Sequence, residues 1–381
     1  MTAFAAAALR KQFPALDTCI WLASSVQGPL PRATLDEMRR LLDDMGEHVC
    51  LHERDWLRRL QEIRGLAAQL IQCDPAEIAY LKNTNEGVNW IAEGLPFQAG
   101  DNVIGMRGEY PANVYPWLNQ AARGVSYVML EPDARGRVTT QQIIAACNDR
   151  TRVVALSSVE FASGFAHDLA ALGKFCRSRG IFFFVDAIQS LGALPMRAKD
   201  WGVDALAADG RKWLLGPPAA GLFFLDARWR EKIHTAAVGA LSVNPTGEYT
   251  NYRFELRNDA RRYEGGDPNW IGIHGLGKSL ELLLGLGIEN IRAQIFAMLD
   301  RLMQGLDRQQ YGVFSSQEPG ERSGILSLIP RRAEAARICE QLRAEHLICW
   351  AREQRVRIAV HAFITPEDID ALLGALRRHG G

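Results

Sequence analysis

Ile181-Phe182-Phe183-Phe184-Val185-Asp186-Ala187-Ile188-Gln189-Ser190 is the stretch whose reading decides the fold. Five apolar residues in a row read as a strand buried on both faces, as in a parallel sheet. The run stops at Asp186. A carboxylate at the carboxyl end of such a strand stands where open α/β sheets place their ligands. Twenty-six residues further on, Lys212 stands within Ala207-Ala208-Asp209-Gly210-Arg211-Lys212-Trp213-Leu214-Leu215-Gly216-Pro217. A lysine among small, apolar and glycine residues is easily desolvated, which lowers its pKa toward a nucleophilic amine.

Outward from this core the same pattern recurs. Short apolar strands are predicted at residues 78–81, 102–106, 125–130, 152–157 and 181–186, with helical flanks. Residues 56–71 show helical spacing, with Trp56, Leu57, Leu60, Ile63, Leu66 and Leu70 on one side. Strands alternating with helices predict an α/β chain on a mostly parallel, doubly wound sheet. The pattern changes after about residue 226. A long helical stretch from residue 271 carries Leu276, Leu280, Leu283, Leu284 and Ile288. A helix at 333–345, strands at 347–350 and 355–361, and a last helix opened by Thr365-Pro366-Glu367-Asp368 follow. The chain divides accordingly into an N-terminal segment (1–20), a large domain (21–250) and a smaller C-terminal α/β domain (251–381).

A formal net charge of zero leaves no bulk field to draw nucleic acid or an anionic membrane, and neither partner is expected. Cys19, Cys50, Cys73, Cys147, Cys176, Cys339 and Cys349 are scattered without CxxC spacing. They read as reduced thiols, so the expected location is cytoplasmic and no metal is expected. Residues 1–11 read as a short helix, and no apolar run approaches the length of a bilayer span. Only seven lysines stand against thirty-seven arginines, which makes a lysine inside an apolar motif harder to ascribe to chance.

An acid and a desolvated amine placed this way suit pyridoxal 5'-phosphate: the lysine forms the Schiff base and the acid keeps the pyridine nitrogen protonated. The Asp-x-x-Gln of 186–189, followed by Gly-x-Lys-Trp and Gly-Pro, resembles the core motif of class V aminotransferase-type enzymes. That branch of the fold type I pyridoxal-phosphate enzymes also holds cysteine desulfurases and isopenicillin N epimerases. The resemblance implies a large domain with a mostly parallel seven-stranded sheet, a small α/β domain and a homodimer. It makes Lys212 and Asp186 the catalytic pair. Thr84 and Asn85, at a helix start, would take the cofactor phosphate. Gln189 would bond the phenolic oxygen, and Tyr110 would stack on the ring where relatives carry histidine. Asp209 and Arg211 flank the lysine in place of the common serine and histidine, and Phe161 replaces an asparagine. Glu264-Gly265-Gly266-Asp267-Pro268-Asn269 resembles the segment that reaches the neighbouring subunit's phosphate, with Gly266 in contact through its backbone. Arg357 aligns with the arginine that grips the substrate carboxylate, a task suited to its planar fork.

The cofactor supplies the electron sink and the protein decides which bond breaks. An Arg-x-Gly-x-His-Cys loop, which desulfurases use to receive sulfur, is absent, and Cys349 lies in the strand-like Leu347-Ile348-Cys349-Trp350. Persulfide chemistry is therefore disfavoured. Transamination, β-elimination and epimerisation each need only the lysine as proton carrier, and transamination of a small amino acid is the expectation. A C–S lyase, a desulfurase-like β-eliminase or an epimerase is the alternative, and a non-catalytic scaffold a more distant one.

Overall fold

The Phe182–Asp186 strand lies in the middle of a seven-stranded sheet, and all five of its residues are buried, as its unbroken apolar run demands. The computed structural model describes residues 6–248 and 250–380. Strand order across the sheet is Ile78–Leu81, Gly221–Leu225, Ala205–Asp209, Phe182–Asp186, Thr151–Ser157, Asn102–Met106 and Ser126–Leu130. All neighbours pair in parallel except Gly221–Leu225, which runs antiparallel to both strands beside it. Alternate residues of the central strand feed opposite layers: Phe183 and Val185 enter one apolar cluster, Phe182 and Phe184 the other. The sheet is thus covered on both faces, which places its carboxyl-end loops as the natural ligand edge.

A second, antiparallel sheet has the order Trp350–Arg352, Arg355–Ala359, Ile325–Pro330 and Tyr311–Val313. The helices Ala335–Ala344 and Pro366–His379 pack with it, the latter opened by a reciprocal capping box between Thr365 and Asp368. The N-terminal segment is stitched to this part of the chain. Ile20–Trp21 pairs in parallel with Leu347–Ile348, and Ala23 bridges Ala359.

Three expectations change. The strand expected at 347–350 is two: Leu347–Ile348 pairs with Ile20–Trp21, and Trp350–Arg352 lies in the antiparallel sheet, with Cys349 between them. The long helical stretch after residue 271 is two helices, Trp270–Leu286 and Ile288–Gly305, bent by 78° at Gly287, whose φ of 79° ends the first one. The helix expected at 56–71 begins earlier, at Glu53, and Leu57 is 43% exposed while Trp56, Leu60 and Ile63 are buried. Of the N-terminal helix the described part is Ala6–Arg10; residues 1–5 lie outside the described residues. Among the described residues no single helix is long and apolar enough to cross a membrane.

Candidate active site

Asp186 closes the central strand and is 1% exposed. Register sets it beside Ser157 on one side and Ala207 on the other, and its Oδ1 accepts the Ile188 N–H at 3.0 Å. Lys212 stands in the loop between Ala205–Asp209 and Gly221–Leu225. That loop holds two non-glycine residues at positive φ, Leu215 at 56° and Ala219 at 58°. Such strain persists where surrounding structure enforces it, commonly at functional sites. The chain after the first strand lies against the loop: Gly28 N–H donates to the Arg211 carbonyl at 2.7 Å. A Cβ on Gly28 would stand 2.1 Å from the Lys212 carbonyl oxygen, so the approach needs glycine.

Burial lowers the Lys212 amine to about 8, against the opposing pull of Asp186. Burial also lifts Asp186 to about 6, with the Ile188 N–H and Lys212 opposing. Near neutral pH the pair therefore offers a partly unprotonated amine beside an ionised carboxylate. Lys212 Nζ lies 5.6 Å from the centroid of the Tyr110 ring. Tyr110 is 41% exposed and meets Phe161 edge-on, centroids 5.5 Å apart, so the two form an aromatic wall beside the amine.

Arg357 is buried, and its charge is among those that press on Lys212. Its Nη1 donates to the Phe161 carbonyl at 2.7 Å. Among the described residues its Nε has no hydrogen-bond partner and no carboxylate pairs with the guanidinium. Burial pulls the guanidinium down to about 10. A buried, acid-free guanidinium is costly in this state and is stabilised by an incoming anion.

Gln189 is held from both ends: Oε1 accepts the Trp213 indole N–H at 2.9 Å, and Nε2 donates to the Ser25 carbonyl at 3.1 Å. The second hydrogen on Nε2 is left for a ligand. Thr84 lies in the first turn of the Thr84–Gly94 helix, but the cap is Asn83, whose side chain accepts the Glu86 N–H. Thr84 Oγ1 instead accepts the Asp209 N–H at 3.1 Å. Asp209 is offset by Arg211 at 3.5 Å. A chain of contacts thus links Thr84 to Asp209, Asp209 to Arg211, Lys212 to Tyr110, Gln189 to Trp213 beside the lysine, and Arg357 through Phe161 to Tyr110. Asp186 and Arg357 are both felt at the Lys212 amine. Asn85 is exposed at the helix start. Gly266 and Asp267 are exposed as well, and no hydrogen bond or ion pair among the described residues ties them to Lys212.

A buried acid network escaped the sequence reading. Glu109 accepts the Ser157 N–H and hydroxyl at 2.5 and 2.6 Å, and Glu160 Oε1 lies 3.1 Å from His167 Nε2. Burial lifts both carboxyls well above the ordinary range and pushes His167 down to about 4. Glu109 and Glu160 immediately precede Tyr110 and Phe161. The buried acids therefore anchor both halves of the aromatic wall. An acid before each aromatic is the only trace of this in the sequence, and nothing in the spacing says the two meet.

This lysine–aspartate cleft on a fold type I scaffold defines a class, and comparison with known proteins places the chain in it. The Aminotransferase class-V family model matches residues 20–372, and the protein belongs to that family, whose cofactor is pyridoxal 5'-phosphate. A probable cysteine desulfurase from Methanothermobacter thermautotrophicus is 27% identical, with 98% of each chain covered. An uncharacterized aminotransferase of Bacillus subtilis, YcbU, is 25% identical over 94% of each. The solved structure of the cystine C–S lyase C-DES with its product cysteine persulfide superimposes with a TM-score of 0.90 at 22% identity, covering 97% of this chain and all of the other. The residues present fit the cofactor: a desolvated lysine, a buried carboxylate at the strand end, and an aromatic ring facing the amine.

Proposed function

We propose that the protein breaks the carbon–sulfur bond of a cysteine-type α-amino acid by β-elimination. The Cα proton is removed, and the sulfur departs with the bonding pair as sulfide from cysteine or persulfide from cystine. The remaining 2-aminoacrylate hydrolyses to pyruvate and ammonia, and no sulfur passes to a protein thiol. The observation that carries the amino-acid reading is Arg357: a buried guanidinium without an acid, whose charge is felt at the Lys212 amine. It would take the α-carboxylate through two parallel hydrogen bonds and so aim the α-amino group at Lys212. When bound, pyridoxal phosphate supplies the electron sink for charge developing at Cα. Lys212 would then take the Cα proton, its lowered pKa making it a base near neutral pH. Asp186 would hold its negative charge against the ring nitrogen, and Tyr110 and Phe161 would exclude water from one side.

Sulfur chemistry is favoured by the named relatives, a probable cysteine desulfurase and a structurally similar cystine lyase. Delivery to a protein thiol is disfavoured by Cys349, which is 1% exposed and donates its thiol hydrogen to Cys339 at 3.5 Å. The bond to Cys339 and burial raise its pKa, leaving little thiolate. We also read the active form as a homodimer in which residues 265–269 serve the neighbouring subunit, and its location as cytoplasmic. In the test, purified holoenzyme receives L-cysteine and L-cystine, and pyruvate, ammonia, sulfide and persulfide are assayed together. Pyruvate and ammonia in equal amounts with released sulfur support the proposal. Transfer of the amino group to an added keto acid, without sulfur release, overturns it in favour of transamination.

A further inference from the structure

Lys212 belongs to the seven-stranded sheet's loops and Arg357 to the four-stranded sheet, and among the described residues no sheet ladder joins the two sheets. His361 bridges them. It follows Arg357 by four residues, and its Nε2 lies 3.2 Å from the carbonyl oxygen of Trp213, the residue after Lys212. Its Nδ1 accepts the Ala362 N–H at 2.8 Å, which leaves Nε2 as the ring's donor. The ring is fully buried and stacked between Trp213 and Phe363, centroids 5.7 and 5.2 Å away.

The contact closes a circuit. From His361 the path runs to Trp213, whose indole N–H donates to Gln189, and from Gln189 to the Ser25 carbonyl. The segment before Ser25 returns to the starting strand, with Ala359 N–H donating to Leu22 O at 2.7 Å. Gly324 shuts the remaining side, since a Cβ there would stand 2.4 Å from the Trp213 ring. Each buried bond in such a ring limits the slack of the others, and its loss leaves a polar atom unsatisfied.

We propose that His361 is a positioning residue that fixes the separation of the Lys212 amine from the Arg357 guanidinium, and so selects substrates whose amine and carboxylate sit on the same carbon. This rests on the reading of Arg357 and Lys212 given above. Misplacement by about 1 Å between two such anchors is enough to cost a large factor in rate.

The test compares His361→Phe, which keeps the stacked ring and loses the donor, with His361→Gln, whose amide N–H reaches the Nε2 position. Holoenzyme is titrated with L-alanine and with β-alanine, in which amine and carboxylate are one carbon further apart, and the cofactor's visible absorbance reports binding. Cofactor affinity and Tm are measured alongside. His361→Phe should retain cofactor, bind L-alanine about tenfold more weakly and lose much of the preference over β-alanine. His361→Gln should recover most of both. An unchanged preference in His361→Phe, a change in Tm alone, or no recovery in His361→Gln overturns the proposal. If His361→Phe does not fold, His361→Asn, too short to reach Trp213, is read by the same criteria. Wild-type holoenzyme that responds to no amino acid overturns the underlying reading and this one together, an outcome distinct from an unchanged variant.

Discussion

Lys212 and Asp186 are both buried and feel one another's charge, and their acid–base behaviour follows from that burial. Condensation with pyridoxal phosphate needs the unprotonated amine. Uptake by the apoprotein should therefore accelerate as pH rises through about 8 and level off above it, followed by absorbance after mixing. Asp186 holds the amine's pKa up, so Asp186→Asn should move that midpoint to lower pH; an unmoved midpoint would mean the two groups do not interact. Arg357→Ala should raise KM for the best amino-acid substrate about 10- to 100-fold, as expected for the loss of a charge-assisted bidentate contact, with cofactor affinity intact. The single residues of the cleft were legible because each carries an unusual context: an acid ending an apolar run, a lysine between glycines, an arginine in an alternating strand. Gln189 was legible as a residue but not in its present bonds, since Trp213 and Ser25 reach it only through the fold.

The strands at 78–81 and 102–106 end where their apolar runs end, and the central strand differs from expectation by one residue. Strands buried on both faces announce themselves by composition whichever way their neighbours run, which is why this part of the sheet could be read directly. The helix break at Gly287 could not, because apolar residues continue at helical spacing through Leu283, Leu284 and Ile288 on both sides of it. Only the positive φ at the glycine separates the two axes. The meeting of Glu109 with Ser157 depends on sheet pairing, and sequence spacing carries no record of that. Gly28 marks a further place where elements touch too closely for a side chain. Gly28→Ala should push the 22–28 segment off the lysine loop, costing about 1–3 kcal/mol by chemical denaturation and weakening cofactor binding. Wild-type stability and cofactor affinity in that variant would contradict the close approach.

Across the whole molecule, buried polar contacts hold distant segments together. Arg64 makes a two-pronged contact with Glu264 at 2.7 and 3.0 Å, and Glu264 also accepts the Tyr80 N–H, so the base of the exposed 265–269 loop is fixed to the large sheet. Arg64→Ala should cost about 3–5 kcal/mol in denaturant unfolding, because it leaves Glu264 partly buried without its cation. His361 gives the fold a pH signature. Burial pushes it down to about 4, whereas the unfolded residue titrates near 6.5. As pH falls the unfolded chain takes up that proton first. The stability due to a neutral His361 is thus fully present above about pH 6.5 and is lost on the way to 4, by about 3 kcal/mol. Relative to His361→Gln, wild type should lose that much between pH 7 and 4; parallel curves would contradict it. Every role assigned to the residues around Lys212 depends on which amine holds the cofactor. Holoenzyme treated with borohydride and analysed by peptide mass spectrometry should carry the pyridoxyl group on Lys212, alone among the seven lysines. A pyridoxyl group on Lys174, Lys199 or another lysine, with Lys212 unmodified, would contradict the account.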